Sequence, residues 1–148
     1  MNAQGKKPSF IEVQGLEFAY GEVKVLHGLD FRIQEQEISC IMGRNGVGKT
    51  TLLRNLVGLE KPTSGRIHHN NSDISNTESF HRASIGFGYV PQGRQIFPLL
   101  SVEENLLVAL AAAPTDQQEI PKSVYDTFPV LYDMRKRHGG DLSGGQQQ

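Results

Sequence analysis

Cysteine occurs once, at Cys40. No disulfide can form within the chain, and a reducing compartment is its natural setting. No apolar run approaches the roughly 18 residues that a bilayer span needs, so work at a membrane would require another chain to supply the membrane part. The opening stretch MNAQGKKPSF is polar and lacks the apolar core of a secretory signal. Charge of neither sign dominates. Fifteen Lys and Arg oppose 16 Asp and Glu, a net charge of -1, which gives no general pull toward a nucleic-acid backbone. Internal repeats and low-complexity tracts are absent as well. The 148 residues, 37% hydrophobic and 21% charged, have the make-up of one soluble domain of ordinary size.

The apolar pattern predicts an α/β chain. FIEVQGLEF (10–18) alternates through Ile11 and Val13, slips parity at Gly15, and resumes at Leu16 and Phe18, which reads as a strand with a bulge. LDFRI (29–33) alternates as a half-buried strand. ISCIM (38–42) is short, mostly apolar and followed by Gly43, as expected of a central strand covered on both faces, with Cys40 a buried small hydrophobe. Leu52, Leu53, Leu56 and Val57 recur at helical spacing, with Gly58 as the stop. RIHHNNSDI (66–74) reads as a hairpin with Asn70 and Asn71 at its tip. SNTE (75–78) and SVEE (101–104) both match the capping-box pattern, so a helix is expected to start at each. IGFGYV (85–90) reads as another strand and 102–113 as a helix that ends before Pro114. A surface loop is expected over 114–121, and short helices over 121–138, interrupted at Pro129.

GRNGVGKTT (43–51) carries the chemistry. Gly43, Gly48, Lys49 and Thr50 complete the pattern G-x-x-x-x-G-K-[ST], with a further glycine at Gly46. Glycines let the backbone of Gly43, Arg44, Asn45, Gly46, Val47 and Gly48 wrap so that successive N–H groups point at one anion. The helix that follows, opening through Lys49, Thr50 and Thr51, adds its positive end. Lys49 can reach the β- and γ-phosphates, and the Thr50 hydroxyl can ligate Mg²⁺. The loop alone does not separate kinases, GTPases, helicases and transport ATPases.

LSGGQ (142–146) narrows the class. Leu142, Ser143, Gly144, Gly145 and Gln146, downstream of such a loop, resemble the signature of the ATP-binding cassette (ABC) family. Tyr20 lies where that family stacks a ring on adenine. YVPQ (89–92) places Gln92 at the family's Q-loop glutamine. The resemblance covers about residues 10–148. GRNGVGKTTLL, GYVPQGRQIFPLLSVEENL and GGDLSGGQQQ look like the ATP-binding subunits of urea and branched-chain amino-acid importers. The urea-type second ATPase is most similar, since branched-chain relatives more often carry Glu where Gln146 stands.

The resemblance implies a P-loop NTPase, RecA-like, with a parallel-sheet core, an N-terminal antiparallel β-subdomain and an incomplete helical subdomain. The β-subdomain and core would occupy about 10–98 and the helical part about 99–148. ATP and Mg²⁺ are the implied cofactors. Lys49 and Gln92 are the implied catalytic residues, with Thr50 and Gln92 at the metal. Ser143, Gly144, Gly145 and Gln146 would act across a dimer, on ATP held by the partner's loop. A second ABC ATPase subunit, identical or not, integral membrane permease subunits and, indirectly, a solute-binding protein are the implied partners. The implied place is the cytoplasmic face of the plasma (inner) membrane, and no nucleic acid is expected. A soluble ABC ATPase of DNA repair or translation is the alternative.

No acidic Walker B strand, catalytic glutamate or switch histidine follows the signature. The chain is therefore expected to be an N-terminal portion that binds ATP without turnover, and 38–42 to lack one strand neighbour. Ile96, Phe97, Leu99 and Leu100 form an apolar set in the Q-loop linker (93–101), where the family receives a permease helix. His68 and His69 are adjacent and would face opposite ways on a strand, which argues against a metal site. RKRH (135–138) reads as a solvated face.

Overall fold

Three antiparallel pairings build the sheet of the amino-terminal half. The computed structural model describes residues 10–111 and 119–147. The chain divides into two compact units, Met1–Arg82 and Ala83–Gln148.

In the first unit β1 (Ile11–Tyr20) and β2 (Val23–Ile33) form a hairpin. β3 (Ser64–His69) pairs with the other edge of β1, and β4 (Ser72–Asp73) closes the sheet in the order β2-β1-β3-β4. The parity slip at Gly15 is a bulge. Ile11, Val13, Leu16 and Phe18 are all buried although the register shifts between Val13 and Leu16. Gly15 takes φ 56 there, and its N–H donates to the Asp30 carboxylate at 2.8 Å. Asn70 and Asn71 (φ 47 and 67) make the tight β3–β4 turn, which needs the left-handed region at both central residues. Helix α1 (Lys49–Leu56) adds Leu52 and Leu56 to this core, with Leu26, Ile67 and Ile74. It ends where expected, with Gly58 left-handed at φ 77.

Two expected strands are not formed. Residues 38–42 and 85–90 have no strand pairing, and the described residues contain no parallel pair. Ile38 is 99% exposed, Met42 is exposed, and so is Cys40, which corrects the expectation of a buried thiol. The reason is physical: a strand's backbone groups are satisfied only by a neighbouring strand. β2, residues 39–42 and α1 instead border an open apolar cavity of about 520 Å³.

The first capping-box expectation also fails. The Ser75 hydroxyl accepts from Ile67 N–H (2.8 Å) and donates to Asp73 (2.6 Å), so it ties β3 to β4. These bonds from Ser75, hydroxyl first and amide second, hold the Asp73 carboxyl below its ordinary range. Helix α2 starts later, at Ser79–Ser84.

In the second unit α3 (Val102–Leu110) begins with the expected capping box. The Ser101 hydroxyl accepts from Glu104 N–H, and the Glu104 carboxylate accepts from Ser101 N–H. Helices α4 (Lys122–Thr127) and α5 (Pro129–Asp133) are separated at Pro129, as the sequence predicts. A 3-10 turn (Gly139–Asp141) leads into the signature, whose last three residues open helix α6 (Gly144–Gln147). The end of the predicted 102–113 helix and most of the 114–121 loop lie outside the described residues.

Candidate functional site: a phosphate-binding loop

The glycine-rich loop has the geometry its sequence demands at two points. Gly46 and Gly48 take φ 83 and 98, a region costly for any residue with a Cβ. A Cβ on Gly48 would come within 3.0 Å of the Leu26 and Val25 side chains, so the loop lies directly against β2. A Cβ on Gly46 would meet nothing within 4 Å, so that side of the loop is open. Arg44, Asn45 and Val47 are exposed along it. Gly48 is also the N-cap of α1 and supplies no side-chain cap. The first amides of the helix therefore lack the side-chain acceptor that most N-termini have.

Lys49 folds back over the loop. Its ammonium donates to the Gly43 carbonyl at 2.8 Å and the Arg44 carbonyl at 2.7 Å. Thr50 is exposed, whereas Thr51 is buried at 8% exposure, which leaves Thr51 only its backbone amide to offer a ligand. An oxyanion entering this concavity would meet uncapped amides, one ammonium and one hydroxyl. That donor set fits a polyphosphate.

The far end of α1 is held by a residue the sequence reading passed over. Arg82 is 0% exposed. Its guanidinium donates to the Asn55 and Leu56 carbonyls (both 2.8 Å), and to Ile74 (2.5 Å), Ser75 (3.1 Å) and Thr77 (3.0 Å). Asn55 and Leu56 are in the last turn of α1, where carbonyls lack intrahelical partners. Burial pulls the Arg82 pKa down from its ordinary value, and the Asp73 charge opposes this. Gly58 closes the socket, since a Cβ there would lie 2.9 Å from Arg82 Nε. An arginine in a polar helix carries no sequence signal for this role. Its partners are five carbonyls, and carbonyls are common to every residue.

Tyr20 ends β1 and is 48% exposed. Phe18 packs on it edge to face at 4.8 Å. Its hydroxyl lies 3.5 Å from the Glu60 carboxylate, which pairs with Arg54 at 3.0 Å. The β1–β2 turn beside it leads into Val25, the residue in contact with Gly48.

The second unit brings the Q-loop linker and the signature together. The Pro98 carbonyl accepts from Gly140 N–H (2.9 Å) and the Leu100 carbonyl from Gly139 N–H (2.8 Å), while the Leu99 carbonyl lies 2.9 Å from His138 Nδ1. Asn105 brackets Phe97, accepting from its N–H (2.9 Å) and donating to its carbonyl (3.0 Å). Within the linker's apolar set, Ile96 and Leu100 are half-buried, whereas Phe97 and Leu99 are 53% and 86% exposed. Gln92 is exposed, as are Ser143, Gly144, Gly145 and Gln146. Gln146 accepts from Ser143 N–H at 2.9 Å. RKRH is only partly a solvated face, since the Arg135 guanidinium lies 4.1 Å over the Tyr132 ring.

Residues 26–148 match the family described as ABC transporter. The chain belongs to the ABC transporter family. It is 36% identical over 136 residues to a probable branched-chain amino acid transport ATP-binding protein, LivF, of Archaeoglobus fulgidus, a match covering 90% of this chain and 57% of that protein. It is 36% identical over 140 residues to the spermidine/putrescine import ATP-binding protein PotA of Legionella pneumophila, covering 93% of this chain and 38% of that one. Among solved structures, the ADP conformation of an ATP-binding cassette of an ABC transporter superposes with a TM-score of 0.73 at 27% identity, covering 95% of this chain and 61% of that one. The α/β, P-loop NTPase fold class therefore stands. The chain spans little more than half the length of the first relative. No helix among the described residues is long and apolar enough to cross a membrane.

Proposed function

We propose that this ABC-family chain is the nucleotide-holding part of an ATP-binding subunit that drives uptake of a small polar solute, in the class of urea, short amides or branched-chain amino acids. The observation that carries the reading is the loop 43–50. Its helix has no side-chain N-cap, its lysine ammonium sits over two loop carbonyls, and its Gly46 side is open. Gly43 to Thr51 hold the polyphosphate in this reading. Lys49 exchanges its two carbonyl contacts for phosphate oxygens, which bind an ammonium more strongly. Tyr20 offers its exposed ring to the adenine, and Thr50 with Gln92 ligate Mg²⁺. The bound Mg²⁺·ATP would supply the charge and the phosphoanhydride that such a subunit exploits.

Ser143, Gly144, Gly145 and Gln146 face a nucleotide held by a second ATPase subunit. Binding that favours the paired state over the separate one then supplies the driving term. Integral membrane permease subunits receive the motion at the cytoplasmic face of the membrane, and a solute-binding protein delivers the cargo. Phe97 and Leu99 are the exposed apolar pair offered to a permease helix. The family likeness supports this assignment, as do the relatives named for import. The solute class rests on resemblance around the loop, linker and signature, because no residue of an ATPase of this kind need touch the solute.

Reconstitution with the permease into vesicles tests the reading. ATP-dependent solute uptake should vanish in Lys49→Ala. Phe97→Asp should abolish uptake or assembly while ATP binding by the subunit persists. Uptake that is indifferent to Lys49→Ala would refute the assignment.

A further inference from the structure

Helix α1, which opens the phosphate site, is short and only partly packed along its length. Its eight residues span about 12 Å at 1.5 Å per residue. Leu52 and Leu56 are buried, yet together with Leu53 they border the open cavity of about 520 Å³. Leu53 is 40% exposed. On that flank the helix has room to tilt, so its ends must fix its direction.

Both ends are tied to the sheet. At the first, Gly48 lies against Val25 and Leu26 of β2. At the second, the buried Arg82 guanidinium joins the Asn55 and Leu56 carbonyls to those of Ile74, Ser75 and Thr77. This second anchor is firm. Ile74 N–H donates to the Ile67 carbonyl, and Ile67 N–H donates to the Ser75 hydroxyl, both at 2.8 Å, so residues 74 and 75 are bound to β3. Asn55 extends the hold toward the phosphate loop, since its Nδ2 donates to the Thr51 carbonyl at 2.9 Å. Gly58 leaves just enough space for the guanidinium, as a Cβ there would lie 2.9 Å from Arg82 Nε.

The free amides of a helix N-terminus point along its axis. A tilt released at the far end therefore re-aims the amides of Lys49, Thr50 and Thr51. Binding groups act only when held within about 0.5 Å and 10–20° of their productive geometry. We propose that Arg82 is a positioning residue for the phosphate site: it touches no ligand, but by clamping the last turn of α1 to residues 74–77 it keeps the first amides of the helix aimed at the polyphosphate. An arginine suits the task because its planar fork spreads five N–H donors, whereas a lysine has three on one point. This inference rests on the reading above that the loop 43–50 holds a polyphosphate.

The test is displacement of a fluorescent nucleotide from the full chain by Mg²⁺·ATP and by inorganic tripolyphosphate, with each affinity corrected for the folded fraction measured by urea unfolding. An arginine that only adds stability changes the folded fraction and not the affinity of the folded molecules. Arg82→Lys, which keeps the charge, should weaken both competitors about fivefold or more, the scale of one hydrogen bond lost from the set. Gly58→Ala, which displaces the guanidinium while leaving the arginine in place, should act in the same direction and gives the reading if Arg82→Lys does not fold. Leu16→Ala, which removes stability from β1, should leave the corrected affinities unchanged. Corrected affinities in Arg82→Lys or Gly58→Ala equal to the wild type would overturn the role of Arg82 and leave the phosphate-loop reading intact. A loss for ATP without a loss for tripolyphosphate would place the defect away from the phosphates and overturn it too, as would an equal loss in Leu16→Ala. A wild type that binds neither competitor would overturn the phosphate-loop reading itself, and this inference with it.

Discussion

Residues 11–20 and 38–42 are both apolar enough to be buried strands, and they meet opposite fates. The first is β1, paired on both edges, with Val13 and Leu16 almost inaccessible to solvent. The second forms no strand and leaves Ile38 and Met42 exposed. Side-chain polarity does not separate them. What separates them is the distance to a partner. β2 returns from β1 through a two-residue turn, so its pairing closes almost no loop. A parallel neighbour for 38–42 would have to come from a distant crossover. Apolar alternation says that a segment can be a strand; a partner decides whether it is one.

The most severe break of the paired region is at Arg82. Arg82→Met removes the side-chain donor shared by five carbonyls, of which Asn55 and Ile74 keep the Gly58 and Thr77 amides, and should cost about 3–5 kcal/mol, measured by urea unfolding. Leu16→Ala, in the middle of β1 at 0% exposure, should cost about 2–5 kcal/mol in the same assay. The matching change in the unpaired run, Ile38→Ser, should stay within about 0.5 kcal/mol, because the side chain is already in water. A cost comparable to that of Leu16→Ala would show that 38–42 is buried in solution.

Effects smaller than those at Arg82 and Leu16 belong to the second unit. Ser101→Ala removes the cap of α3 and should cost about 1 kcal/mol, read as a lowered melting temperature. The same box gives a pH dependence. Hydrogen bonds from the Ser101 amide and hydroxyl lower the Glu104 pKa from its ordinary 4.5. Its stabilisation is therefore complete above about pH 4.5 and is lost as pH falls through the lowered folded value. In Glu104→Gln that acid-side loss should shrink, as followed by circular dichroism.

Locally encoded features were legible in the sequence. The Asn70-Asn71 turn, the Gly15 bulge, the Ser101 box, the break at Pro129 and the phosphate loop each depend on residues within a few positions of one another. Features set by distant partners were not. Ser75 resembles a helix cap, but the β3 amide and Asp73 take its hydroxyl. Cys40 reads as part of a central strand, but among the described residues 38–42 has no strand partner. The Arg82 socket joins residues up to 27 positions apart. No local pattern announces it.

The account rests on the loop 43–50 being a nucleotide cradle in which Lys49 provides the charge. Fluorescent-nucleotide titration in Mg²⁺, displaced with ATP, compares wild type with Lys49→Ala. Saturable binding should be weakened about tenfold or more by the substitution, the scale of a charge-assisted phosphate contact. Equal affinity in the two proteins would contradict the account.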